Sequence, residues 1–151
     1  MNTKPYYPIG IQSFEEMRRL KAVYVDKTDL VYHLTHTSKF VFLSRPRRFG
    51  KSLLGSTLQC YFEGRKELFE GLAMEKLEKE WTKHPVLHFD LSAAKNMPMS
   101  GVTQNLSFQL YQYEKKYGNE FASAPLGTRL SALIVQAYEQ TGQQVAVIID
   151  E

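Results

Sequence analysis

The residues Val145 to Ile149 read VAVII and are followed at once by Asp150-Glu151. A strand with one face in water alternates apolar and polar side chains, whereas an unbroken aliphatic run suits a strand covered on both faces, as in a parallel sheet between helices. Two more apolar runs, Phe40 to Leu43 and Val86 to Leu91, lie upstream, with helical periodicity between them. Strands alternating with helices give an α/β class with a mostly parallel sheet flanked by helices.

The helical segments follow from caps and spacing. Ser13-Phe14-Glu15-Glu16 has the form of a capping box and opens a short helix with Phe14, Met17 and Leu20 on one face. Ala22 to Val25 reads as a brief strand. Asp26 then caps a helix carrying Leu30, Val31 and Leu34 inward. From Lys51 to about Phe62, Leu54, Leu58 and Phe62 recur at helical spacing, and Gly64 ends the run. Met74 to Trp81 is amphipathic. A long helix from about Gly101 to Tyr117 places Val102, Leu106, Leu110, Tyr113 and Tyr117 on one side. Thr128 caps another, with Leu130, Leu133, Ile134, Ala137 and Tyr138 toward the core.

Phe40 to Leu54 reads FVFLSRPRRFGKSLL, a strand, a basic turn and the start of a helix. Gly50-Lys51-Ser52 matches the end of the phosphate-binding pattern G-x-x-x-x-G-K-[ST]. Glycine allows close approach of backbone to phosphate, and N–H groups from about Arg48 to Ser52 can point at the anion from a helix N-terminus. Lys51 reaches the outer phosphates as a point charge and the Ser52 hydroxyl suits Mg²⁺. Arg45 stands where the pattern has its first glycine, and Pro46 has no N–H to offer.

The formal charge of the 151 residues is only +3, but Arg45, Arg47, Arg48 and Lys51 are clustered. Local basicity of this kind fits polyphosphate or nucleic acid better than general adhesion to acidic surfaces. No apolar run reaches the roughly 18 residues of a membrane span, and the N-terminus lacks a signal peptide's apolar region. The lone Cys60 cannot form an internal disulfide, and it lies on the apolar side of its helix as a structural thiol. A cytoplasmic location is expected.

An aliphatic strand ending in two acids has the form of a Walker B strand. In open α/β sheets ligands gather beyond the carboxyl ends of the strands. Asp150 is then expected to hold the Mg²⁺ shell and Glu151 to polarise the attacking water. The two distant segments are expected to converge on one magnesium–triphosphate.

Taken together, YVDKTDLV, FLSRPRRFGKSLL, YFEGRKELFEGL, HPVLHFDLS and VAVIIDE resemble the bacterial and archaeal AAA-ATPase-like proteins, which join an N-terminal P-loop domain to a C-terminal domain similar to PD-(D/E)XK nucleases. That resemblance accounts for Arg45-Pro46, since the family's loop starts with Arg-Pro. It implies a P-loop NTPase-type fold that binds ATP and Mg²⁺, and hydrolysis in the intact protein coupled to conformational change, with possible regulation of an attached nuclease-like domain. The cofactor-binding set is Arg45, Arg47, Arg48, Phe49, Gly50, Lys51, Ser52 and Leu53. Lys51 and Glu151 are the catalytic residues, and Ser52 and Asp150 the metal ligands. Tyr24 to Thr28 is expected near the adenine. The resemblance divides the chain into a helical region, 1–38, and a P-loop core, 39–151. Family members continue past the Walker B acids, so an incomplete sheet is expected here, its edges covered by rearrangement or by strand exchange in a homo-oligomer.

Two other functions fit parts of the sequence. A non-hydrolysing interaction module would use the arginine loop on nucleic acid or protein. A small-molecule kinase would need no glutamate after Asp150. His33 and His36 lack a recognisable third ligand and read as surface or half-buried side chains. The aromatic residues from Tyr111 to Phe121 fall at helical spacing, which favours core packing over base stacking.

Overall fold

The computed structural model describes residues 4–150 and divides into two compact units, one ending at Thr82 and the other beginning at Lys83. The first contains α1 (Phe14–Arg19), α2 (Thr28–Thr37), α3 (Lys51–Phe62) and α4 (Ala73–Leu77), with a 3₁₀ turn at Lys66–Phe69. The second contains β1 (Val86–Asp90), α5 (Met99–Tyr117), α6 (Leu126–Thr141) and β2 (Ala146–Asp150), with a 3₁₀ turn at Ser92–Ala94.

In the first unit, the Ser13 hydroxyl accepts from the Glu16 N–H, as the capping box requires, and α1 buries Phe14 and Met17 while Leu20 stays exposed. Phe14 packs with Val31, Cys60, Tyr61, Phe69 and Met74. Serine and threonine side chains fasten α3 in place. The Phe14 N–H donates to Ser56 Oγ at 2.9 Å, and the Ser56 hydroxyl donates to the Gln12 and Leu53 carbonyls. Lys27 and not Asp26 stands at the N-cap of α2, and Asp26 beside it acts through both oxygens: Oδ1 accepts from the Thr28 N–H and hydroxyl, and Oδ2 accepts from the Ala73 N–H. Thr28 Oγ1, fully buried, accepts in turn from the Met74 N–H. The start of α2 is thereby tied to the start of α4. Burial pushes the Asp26 carboxyl up, but these hydrogen bonds outweigh it and hold the group below its ordinary range.

Several expectations are corrected here. Ala22 to Val25 is not a strand; a single bridge joins Tyr6 and Ala22. Leu30 is exposed. The helix after Ala73 stops at Leu77 instead of reaching Trp81, because Glu78 Oε1 accepts from the Lys79 and Glu80 N–H groups and draws the backbone into a turn. Trp81 still packs on Tyr61 and Phe69. Phe40 to Leu43 forms no strand. A strand's N–H and C=O groups need a neighbouring strand, and no described residue supplies one.

In the second unit, β1 and β2 pair in parallel, with Leu87 opposite Val147 and Asp90 opposite Asp150. The intervening chain forms α5 and α6, so this is a β-α-α-β crossover and the small sheet of an incomplete α/β fold. Leu87, Phe89, Leu110, Tyr117, Leu133 and Ala137 form its core. β2 is covered on one side only. Val147 and Ile149 are exposed while Ala146 and Ile148 are half-buried, which corrects the expected two-sided burial. Tyr138 and Tyr111 also point to solvent, whereas Tyr113 and Tyr117 turn inward.

Candidate functional site

The basic loop runs directly into α3, whose first residue is Lys51. Gly50, the residue before it, has φ +76°. That left-handed conformation costs glycine little and other residues considerably more. Arg48 is also left-handed, with φ +65°, while Phe49 between them is not. Alternating handedness along successive residues is the backbone pattern of an anion-binding nest. A side chain at Gly50 would meet nothing within 4 Å, so the need for glycine there comes from φ and not from crowding.

The loop makes few internal commitments. Residues 41–50 are all exposed, with a turn at Arg47 and Arg48 and no ladder bond among the described residues. Gly50 accepts from the Leu54 N–H at 2.9 Å, the first bond of the α3 ladder, so the N–H groups of Lys51, Ser52 and Leu53 precede the intrahelical pattern. Among the described residues, the side chains of Arg45, Arg47, Arg48, Lys51 and Ser52 form no ion pair or hydrogen bond. From Leu30 to Phe62 the sequence contains no acid. The cations of the loop therefore have no local counter-charge, and the helix dipole adds partial positive charge at the same end.

Of the expected acids, Asp150 ends β2 in the second unit, and Glu151 lies outside the described residues. Lys51 and Ser52 belong to the first unit. Beside Asp150, in register on β1, stands Asp90, which the sequence reading passed over. Both parallel strands thus end in a carboxylate, and the Leu91 N–H donates to the Asp150 carbonyl at 2.7 Å. The Ser92 hydroxyl and backbone N–H donate to the exposed Asp90 and hold it below the usual carboxylate range, outweighing a partial desolvation. The signal was available: VLHFD ends in an acid just as AVIID does.

Cys60 is buried at 5% exposure, and desolvation pushes its thiol up to about 11, which makes it a core side chain and not a nucleophile. The Tyr24 to Thr28 segment spends Asp26 and Thr28 on the ties to α4 described above. Among the described residues no helix is long and apolar enough to cross a membrane.

A family model described as AAA-ATPase_like, Predicted AAA-ATPase, matches residues 8–151. The chain belongs to this predicted AAA-ATPase family. Its class of function is accordingly nucleotide binding of the ATPase-like kind. A protein of Azotobacter chroococcum mcd 1, described as "Uncharacterized protein in vnfD 5'region", is 35% identical over 146 residues, 95% of this chain. The chain spans 28% of that relative's length. No solved structure matches.

Proposed function

We propose that the chain binds ATP with Mg²⁺ through the loop Arg45 to Ser52 and the first turn of α3, as the nucleotide-binding part of an ATPase. The observation that carries this reading is the opening of α3: left-handed Gly50, then Lys51 and Ser52, whose side chains have no partner among the described residues. In this reading the backbone at Arg48, Phe49, Gly50, Lys51, Ser52 and Leu53 wraps the phosphates, and Lys51 neutralises the outer ones. Arg45, Arg47 and Arg48 add charge at the rim.

Ser52 and Asp150 offer hard oxygen donors, which suit Mg²⁺ better than softer metals. When bound, the ion would neutralise charge on the phosphate oxygens. In the intact protein Glu151 orients the attacking water. Hydrolysis there drives a conformational change.

A fluorescent ATP analogue titrated with and without Mg²⁺ tests these roles. Ser52→Ala and Asp150→Asn should each reduce the Mg²⁺-dependent part of the affinity and leave the metal-free part intact. Loss of the metal-free part alone would contradict the assignment.

A second reading is favoured by the acid-free stretch, whose cations sit beside exposed Phe40, Phe42 and Phe49. Such a surface can hold single-stranded nucleic acid by charge and stacking. Filter binding that weakens steeply with salt yet ignores added ATP would select it over the nucleotide site.

A further inference from the structure

His36 lies in the last turn of α2 with its ring stacked on Tyr32, 3.9 Å between centroids. Nδ1 sits 2.7 Å from the Tyr32 carbonyl oxygen. A carbonyl can only accept, so Nδ1 carries the proton, and in the neutral ring Nε2 presents a bare lone pair. That lone pair faces another acceptor, Glu78 Oε2 at 3.9 Å, beyond hydrogen-bond reach. Protonation of the ring would replace it with an N–H aimed at a carboxylate.

Glu78 anchors the turn that follows α4, and its side chain is only 12% exposed. Oε2 accepts from the Tyr61 hydroxyl, and Oε1 from the Lys79 and Glu80 N–H groups. Burial pushes the carboxyl up, but the Tyr61 hydroxyl and the backbone N–H groups of Glu80, Lys79 and Trp81 outweigh it and hold the group below its ordinary range. It is therefore charged wherever histidines titrate. The turn seats Trp81 against two costs. Trp81 is left-handed, with φ +49°, and its buried indole N–H has no hydrogen-bond partner among the described residues.

The titratable and charged groups on the elements around His36 are Tyr32 and His33 on α2, Tyr61 on α3, Glu75 and Lys76 on α4, and Lys79 and Glu80 beside Glu78. Glu75 is turned to the Gly71 N–H, and among the described residues Glu78 ion-pairs with His36 alone.

We propose that His36 and Glu78 form a pH-operated latch: once protonated, His36 Nε2 donates to Glu78 Oε2 and clamps the end of α2 onto the turn that seats Trp81. Above the histidine range the imidazole lets go, and Tyr61 and the backbone hold the turn alone. The contribution to folding is present below that range and lost as pH rises through it, opposite in sense to that of Asp26. The turn directly precedes the end of the first unit at Thr82, so the latch sets how firmly that end is held.

Trp81 is the only tryptophan in the sequence, so its fluorescence follows urea unfolding of the first unit in the whole chain. The folding equilibrium constant of the native chain, divided by that of His36→Gln, should be about two- to fivefold larger at pH ~5.5 than at pH ~8, as for a partly exposed ion pair. In a Glu78→Gln background that dependence should vanish, because the charge is gone while glutamine keeps an oxygen for the N–H groups of the turn. A ratio that is the same at both pH values would overturn the proposal. So would a ratio that still changes with Glu78→Gln, since His36 would then answer to the negative end of α2 and not to the carboxylate.

Discussion

Phe40 to Leu43 and Ala146 to Ile149 are both short runs of aliphatic and aromatic residues, yet only the second is a strand. The second lies in parallel register with β1 and completes its ladder there. The first has Phe40 and Phe42 89% and 90% exposed and pairs with nothing among the described residues. Composition supplies the tendency to extend. A partner makes the strand, because backbone groups in a sheet are satisfied only by another segment.

Substitutions can sharpen this contrast. The largest effect is expected deep in the paired unit, at Glu114→Leu, which strands Arg129 in the core; breaking a buried pair costs about 3–5 kcal/mol. Urea denaturation followed by circular dichroism measures it. A loss below about 1 kcal/mol would mean that water reaches the pair freely. Next comes Leu87→Ala in β1. Leu87 is fully buried, and a cavity there should remove about 2–5 kcal/mol.

Acid should act more gently, on the ties of the first unit. Because Asp26 is depressed in the folded state, the unfolded chain takes up its proton at higher pH. Its stabilisation is fully present above the ordinary value of 3.8 and is lost as pH falls below that toward the folded value. Asp26→Asn should therefore flatten the pH dependence of stability in this acid window while leaving its shape at neutral pH unchanged. An unaltered acid slope in the variant would show that Asp26 does not carry the effect. The smallest change is predicted at Phe42→Ala, within about 0.5 kcal/mol as for surface positions. A cost comparable to Leu87→Ala would mean that the first run is paired after all.

Local signals were legible where local physics decides. The capping serine at Ser13, the glycine before α3 and the spacing of Leu110, Tyr113 and Tyr117 all reappear in the structure. What escaped the sequence depends on contacts between segments. Arg129 and Glu114 occupy inward positions of their helices, Arg129 in step with Leu133 and Ala137, but a polar residue at such a position is ordinarily assigned outward until its partner is known. Asp90 became part of the picture only when the strand register set it beside Asp150. The exposure of Phe40 and Phe42 likewise follows from pairing, which periodicity does not encode.

The loop's claim to phosphate rests above all on Lys51. Isothermal calorimetry of ATP with Mg²⁺ should give a saturable signal with the native chain and at least about tenfold weaker binding, over 1.4 kcal/mol, with Lys51→Ala. Unchanged affinity in that variant would contradict the account at its centre.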